Sequence, residues 1–260
     1  MAKFLVKILQ PISVNQYSCR DTHSFVNDIK GLKFGSSFIC SFDVESLFTN
    51  VPVKETIDIC CQKLYHDTRF TTPDIPEKLF REMLERCATN TPFLFNNCVY
   101  KQIDGVSMGS PLGPVLANIF LCHLEETYML KHPTFPSFYR RYVDDTFAVF
   151  PTKQDALNFF EFINGIHGNI RFTMESEKDG SLQFLDTVVQ KHNDVFDLDM
   201  FHKPTETGLY LSWSSLIPKV YKISLIKCLT HRILVICSKA ELIKKTIGPA
   251  QIMPVEKWLP

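Results

Sequence analysis

The sequence lacks any uninterrupted apolar run of the ~18–20 residues that a helical membrane span requires, so no membrane partner is expected. It lacks a CxxC pair: the nine cysteines are scattered and only Cys60 and Cys61 are neighbours. A zinc site or a disulfide framework is therefore not expected, and the thiols read as small hydrophobes of a reduced, intracellular protein. Net charge is also lacking, with 28 Lys+Arg against 28 Asp+Glu, which excludes a uniformly basic coat for nucleic acid but not a local patch. There is no Walker A loop and no GxGxxG, so nucleotide-hydrolase and dinucleotide-binding readings lose support. No repeat or low-complexity tract is present. The N-terminal MAKFLVKILQPIS has two lysines in a short apolar run and no small-residue cleavage site, so it does not read as a signal peptide.

What is present is an ordinary globular balance of 45% hydrophobic and 22% charged residues over 260 positions, enough for one large or two small domains. Charge is unevenly spread. Residues 201–260 hold nine Lys/Arg and three acids, leaving 19 basic and 25 acidic residues before them, an acidic body with a basic tail segment. Asp21 reads as a helix cap ahead of Phe25, Ile29 and Leu32. Residues 37–44 form a short apolar run that reads as a buried strand ending near Asp43. Residues 53–66 and 76–89 carry apolar residues at helical spacing. Residues 93–102 suggest a hairpin turning at Asn96-Asn97. A Gly/Pro-rich loop over 105–114 leads into a helix over 115–129. Residues 138–150 read as two short strands with Asp144-Asp145 at the tip, followed by a helix over 153–164. Strands are expected over 170–176, 182–190 and 194–201, and a basic helix over 216–246. Helices and strands in this order give an α+β layout with an antiparallel sheet.

Three features carry chemistry. Tyr142-Val143-Asp144-Asp145 places two adjacent carboxylates at the tip of an apolar hairpin. A solvated turn is the plain reading, but the flanks are too apolar for an exposed loop, and a divalent cation is an economical partner for buried carboxylates. Asp43 ends the other apolar strand, and adjacency of the two strands would bring it against Asp144. Finally, Gly105-Val106-Ser107-Met108-Gly109-Ser110-Pro111-Leu112-Gly113-Pro114 lets backbone approach a ligand and leads into a helix N-terminus that favours anions, although a plain loop with Pro near a helix start would look the same.

SFDVESLFTNVP, GVSMGSPLGPVLANIFL and RYVDDTFAVF, in that order, resemble motifs A, B and C of a reverse transcriptase palm, and their wording is similar to Penelope-like, telomerase-related retroelements. FTMESEKDG, LQFLDTVV and FHKPTET resemble motif D, motif E and the entry to the thumb. The resemblance implies a right-hand polymerase palm, an antiparallel sheet backed by helices, with partial fingers and the start of a helical thumb. Residues 1–34 would be a fingers remnant, 35–200 the palm and 201–260 the start of a basic thumb. It implies two Mg²⁺ ions, with Mn²⁺ as a substitute, held by Asp43, Asp144 and Asp145 and by the carbonyl of Val44. Phe48 would be the steric gate against a ribose 2′-OH, although a core aromatic is the plain alternative among 22 phenylalanines. Met108 and Gly109 would lie against the incoming nucleotide; Phe184-Leu185-Asp186 would belong to the primer grip, with an ordinary strand as the equal alternative; and Lys178 falls near the motif D lysine, although a solvated charge in a Glu-Lys-Asp run is the plainer reading. Lys219, Lys222, Lys227 and Arg232 would face the phosphates of the template–primer duplex, a sequence-independent contact, although a solvated helix face is the plain alternative. The implied activity is RNA-directed DNA synthesis for a retrotransposable element, with RNA template, DNA primer and dNTP as partners and a nuclear location.

The sequence also departs from the family pattern. Only 42 residues precede Asp43, no basic triphosphate grip is evident, Gly113-Pro114 replaces the usual Ser-Pro, and no GIY-YIG-type nuclease follows. These departures imply an N-terminally truncated fragment with weak or absent activity. The alternative is a catalytically inactive remnant that at most binds nucleic acid through its basic segment. A two-metal nuclease is disfavoured by the motif B match.

Overall fold

A short run rich in Phe, Ile and Val makes Phe38–Val44 a strand, β1, buried at five of its seven positions. The computed structural model describes residues 1–89, 91–206 and 210–247, with the side chains of Lys245 and Ile247 excepted. Within these residues the chain divides into two compact units, 1–18 with 40–175, and 19–39 with 176 onward.

The first unit is built on a four-stranded sheet in the order β4-β5-β1-β6, where β4 is Phe138–Tyr142, β5 Asp145–Phe150 and β6 Phe172–Ser176. β4 and β5 form an antiparallel hairpin with Tyr142 opposite Asp145. Backbone bonds from Val44 to Asp144 and from Glu45 to Arg171 run β1 antiparallel to both neighbours. Helices back the sheet. α4, Val53–Cys61, packs against α5, Glu77–Thr89, and against α6, Leu112–Thr127. α1, Ala2–Leu9, also packs on α6. α6 is buried on nearly every side, from Leu112 and Gly113 through Leu124 and Glu125, as expected of a helix apolar all round. α7, Lys153–Ile166, covers β5, and Phe42, Phe150 and Phe159 meet edge-on or tilted with centroids 5.6–6.2 Å apart. A short helix, α3, covers Leu47–Asn50. The expected hairpin forms as β2, Pro92–Phe95, and β3, Cys98–Lys101, with Asn96 and Asn97 both at positive φ, and all eight strand residues are exposed.

In the second unit, α2 (Thr22–Ile29) starts at a capping box: the Ser24 N–H donates to Asp21 Oδ1 at 2.7 Å and the Asp21 N–H donates to Ser24 Oγ at 3.1 Å. A three-stranded antiparallel sheet follows, β7 Ser181–Phe184, β8 Thr187–His192 and β9 Val195–Met200. The single strand expected over 182–190 is instead a hairpin. Leu185 takes a left-handed φ of 53°, and the Thr187 hydroxyl donates to the Phe184 carbonyl at 2.8 Å, folding the chain back. The helix expected over 216–246 is likewise two, α8 (Lys219–Ile236) and α9 (Ala240–Ile247). Ser238 leaves the helical path to exchange backbone and hydroxyl hydrogen bonds with Leu198 on β9, both at 3.0 Å. Among the described residues no helix is long and apolar enough to cross a membrane. Residues 207–209 and 248–260 of the expected thumb, and the Lys245 side chain, lie outside the described residues.

Candidate active site

The site grows from the pairing of β1 with β5. The Thr146 hydroxyl is fully buried; it accepts from the Phe42 N–H and donates to the Phe42 carbonyl, both at 2.9 Å. Two residues on, the Val44 N–H donates to the Asp144 carbonyl at 3.2 Å. With 42 against 146 and 44 against 144, Asp43 stands opposite Asp145, where side chains on one face of an antiparallel pair meet. Tight folding of the β4–β5 hairpin puts Asp144 in the two-residue turn beside them. The sequence-predicted acids are thus brought to one end of one sheet.

Electrostatics reflect this. Burial, then the charges of Asp43 and Asp144, push the Asp145 carboxyl up to about 7. Asp43 is also raised, first by burial and then by Asp144 and Glu45. The charged neighbours that act on Asp145 are Asp43, Asp144 and Glu175, all acids. Glu45 and Glu175 are additional carboxylates that motif matching does not single out.

Among the described residues no three His, Cys, Asp or Glu side chains converge closely enough to hold an ion by themselves. The donor set is therefore no closed cage. It is all oxygen and all acidic, which suits a hard cation such as Mg²⁺, which takes one or two carboxylates and completes its octahedron with water and phosphate oxygens. Val44 itself is buried on the strand, with its N–H in the ladder to Asp144.

The glycine-rich loop is held to α3 by backbone. The Val106 N–H donates to the Phe48 carbonyl at 2.7 Å. Gly105 has φ +74°, and a Cβ there would stand 2.5 Å from the Thr49 carbonyl oxygen, so only glycine fits. Asp104 Oδ1 accepts from the N–H groups of Gly105, at 2.8 Å, and of Val53, at 3.3 Å, tying the loop to the start of α4. Phe48 is half-buried beside Gly113: a Cβ on that glycine would lie 3.9 Å from Phe48 Cδ1 and 3.0 Å from the Ser107 carbonyl oxygen. Met108 is 73% exposed, and Gly109, at φ +94°, has open space around it.

The basic segment departs from expectation at two positions. Lys222 is buried, and its ammonium donates to the carbonyls of Trp213 (2.5 Å) and Ser215 (2.7 Å) while lying over the Trp213 ring. It holds a loop and does not present charge to a phosphate. Arg232 pairs with Asp186 at 3.1 Å. Lys219 and Lys227 are exposed on α8.

Sequence reasoning also missed a buried network behind the hairpin. Arg141 and Glu125 are paired at 2.5 Å with 2% and 1% of their side chains exposed. An arginine in a strand of aromatic residues and a glutamate on an otherwise apolar helix were the available signals.

The reverse transcriptase (RNA-dependent DNA polymerase) family model matches residues 1–185. Apo telomerase from Candida tropicalis, truncated from its C-terminal domain, superimposes with a TM-score of 0.60 at 12% identity, over 76% of this chain and 45% of that one. Candida tropicalis telomerase in complex with a fragment of telomeric RNA gives 0.58 at 14% identity, over 94% and 44%. The BmCPV RNA-dependent RNA polymerase at its quiescent state gives 0.52 at 13% identity, over 75% and 20%. The chain spans less than half the length of these structures, and the likeness shows a palm-like polymerase fold. No curated protein sequence matches the chain.

Proposed function

We propose for this chain, which belongs to the reverse transcriptase (RNA-dependent DNA polymerase) family and is by family a nucleotidyltransferase, the synthesis of DNA on an RNA template. The observation that carries the reading is the register of β1 on β5, which puts Asp43 opposite Asp145 with Asp144 in the adjoining turn. The reaction joins the primer 3′-oxygen to the α-phosphorus of a dNTP, breaks the bond to the β-phosphate and releases pyrophosphate.

Asp43 and Asp144 would be the principal ligands for Mg²⁺, with Asp145 and the Val44 carbonyl in support. When bound, Mg²⁺ eases deprotonation of the attacking hydroxyl and neutralises charge on the leaving pyrophosphate. Burial and the neighbouring acids make the charged form of Asp145 costly, and a bound divalent cation would offset that cost. The Phe48 ring, backed by Gly113, would screen the sugar of the incoming nucleotide for a 2′-hydroxyl. Met108 and Gly109 offer an open, partly apolar surface to the nucleotide. Lys219 and Lys227 are free of the ties that hold Lys222 and suit phosphate contact. The wording of the three motifs supports assignment to a Penelope-like retroelement, and the need to reach chromosomes supports a nuclear location.

Incorporation of dTTP on poly(rA)/oligo(dT) with Mg²⁺ or Mn²⁺ tests the reading, beside the Asp144→Asn, Asp145→Asn variant. Loss of incorporation in the double variant is expected. Equal incorporation would overturn the mechanism, and a wild-type chain that binds the hybrid yet incorporates nothing would identify an inactive remnant.

A further inference from the structure

The turn that presents Asp144 is strained. It has two residues, Val143 and Asp144, closing Tyr142 against Asp145, and Val143 has φ +56° while Asp144 does not share the positive sign. A tight hairpin with positive φ at its first central residue is the kind that takes glycine there. A β-branched residue in the left-handed region is a genuine outlier and persists only where its surroundings impose it.

Two bonds hold this turn: the Val44 N–H on β1 donates to the Asp144 carbonyl, and the Arg141 guanidinium reaches the Val143 carbonyl from an anchorage on α6. Arg141 Nη1 donates to the Val143 carbonyl at 3.0 Å and to Asn118 Oδ1 at 2.9 Å. Its Nε donates to Glu125 Oε1 at 2.5 Å, and its Nη2 donates to Glu125 Oε2 at 3.1 Å and to Cys122 Sγ at 3.3 Å. Glu125 is fixed in turn by Asn15, whose Nδ2 donates to Oε2 at 2.7 Å. Asn118, Cys122 and Glu125 all stand on α6, the helix that the glycine-rich loop enters. A buried ion pair is weak evidence for stability, since an apolar pair of like volume often serves as well or better. The fork geometry of arginine, by contrast, aims donors at several acceptors at once.

We infer that Arg141 is a positioning residue: anchored on α6, it grips the Val143 carbonyl and holds the turn in the left-handed conformation that sets Asp144 beside Asp43. The inference deepens the polymerase reading and rests on it. Glycine adopts positive φ without strain, so Val143→Gly removes the need for the grip.

The test begins with the neutral pair Glu125→Leu/Arg141→Met, which leaves no uncompensated buried charge. Amide hydrogen exchange by mass spectrometry on the segment 140–146 is expected to speed up, with the remaining strands of the sheet unchanged. In single-turnover dTTP incorporation, kcat is expected to fall about 100-fold with KM for dTTP little changed, the scale on which a 1 Å misplacement acts. Adding Val143→Gly to the neutral pair is expected to recover at least about tenfold of that loss. Unchanged exchange in 140–146, unchanged kcat in a folded neutral pair, or no recovery from glycine each overturns the inference. A wild-type chain without incorporation defeats the polymerase reading alone, and the exchange rates still decide whether Arg141 holds the turn.

Discussion

The Val44 N–H donates to the carbonyl of Asp144 at 3.2 Å, joining motif A to motif C backbone to backbone across 100 positions of sequence. Because side chains alternate along a strand, this bond and the Thr146–Phe42 bonds leave Asp43 no choice of neighbour: it faces Asp145. A one-residue slip would send Asp43 to the opposite face.

Clustered acids make stability depend on pH in a definite sense. The Asp145 carboxyl lies at about 7 in the fold against an ordinary 3.8, so the folded chain binds more protons than the unfolded chain between these values. Stability therefore falls as pH rises from about 4 through 7. Without divalent cations, Tm is expected to drop from pH 5 to pH 8, and Asp145→Asn is expected to flatten the profile. Mg²⁺ or Mn²⁺ is expected to raise Tm at pH 8 and to do little at pH 5. A scanning-fluorimetry series checks this, and a metal response independent of pH would contradict it.

The two glycines of the motif B loop are expected to respond differently to alanine. At Gly105 the added Cβ meets Thr49 backbone at 2.5 Å and φ is +74°, so both sterics and strain oppose it. A loss of about 2–4 kcal/mol in urea unfolding is expected. At Gly109 φ is +94° but nothing lies within 4 Å, so only strain remains, about 1–2 kcal/mol. Equal losses at the two sites would refute the close approach at Gly105.

Phe48→Ala is expected to relax sugar selection. The ratio of UTP to dTTP incorporation should rise by at least about tenfold, while dTTP incorporation itself changes little. An unchanged ratio would return Phe48 to the role of a core aromatic.

The lysines of the basic segment separate by burial. Lys219→Gln and Lys227→Gln are each expected to lower the slope of log affinity against log salt by about 1 for an RNA/DNA hybrid. Lys222→Met is expected to leave that slope unchanged and to lower Tm, because it strips the Trp213 and Ser215 carbonyls of their donor. Fluorescence anisotropy over a salt series reads the slopes.

Most of the first unit was legible because its signals are local. The apolar run before Asp43, the helical spacing over 53–66 and 76–89, and the aromatic strands flanking Asp144-Asp145 each name their own element. In the second unit the Asp21 cap formed as read, and its Ser24 partner was not singled out. The second unit was less legible because its breaks fall at residues without turn or stop chemistry of their own. Leu185 carries no turn chemistry, yet it turns, and Ser238 ends a helix by bonding to Leu198, 40 residues away. In the candidate site, residue types named the acids but not the device behind them. The Arg141–Glu125 pair is invisible to motif matching because its members come from a strand and a helix whose packing no local pattern reports. Lys222 was misread for a related reason, since charge in a basic run looks solvated until a loop's carbonyls claim it.

Single-nucleotide extension of an RNA-templated DNA primer by the wild type and by Asp43→Asn, both at saturating Mg²⁺ and dTTP, tests the central claim most directly. The account expects the asparagine variant, folded and with wild-type hybrid affinity, to lose at least about 1,000-fold in the extension rate. Extension by Asp43→Asn at the wild-type rate would contradict it.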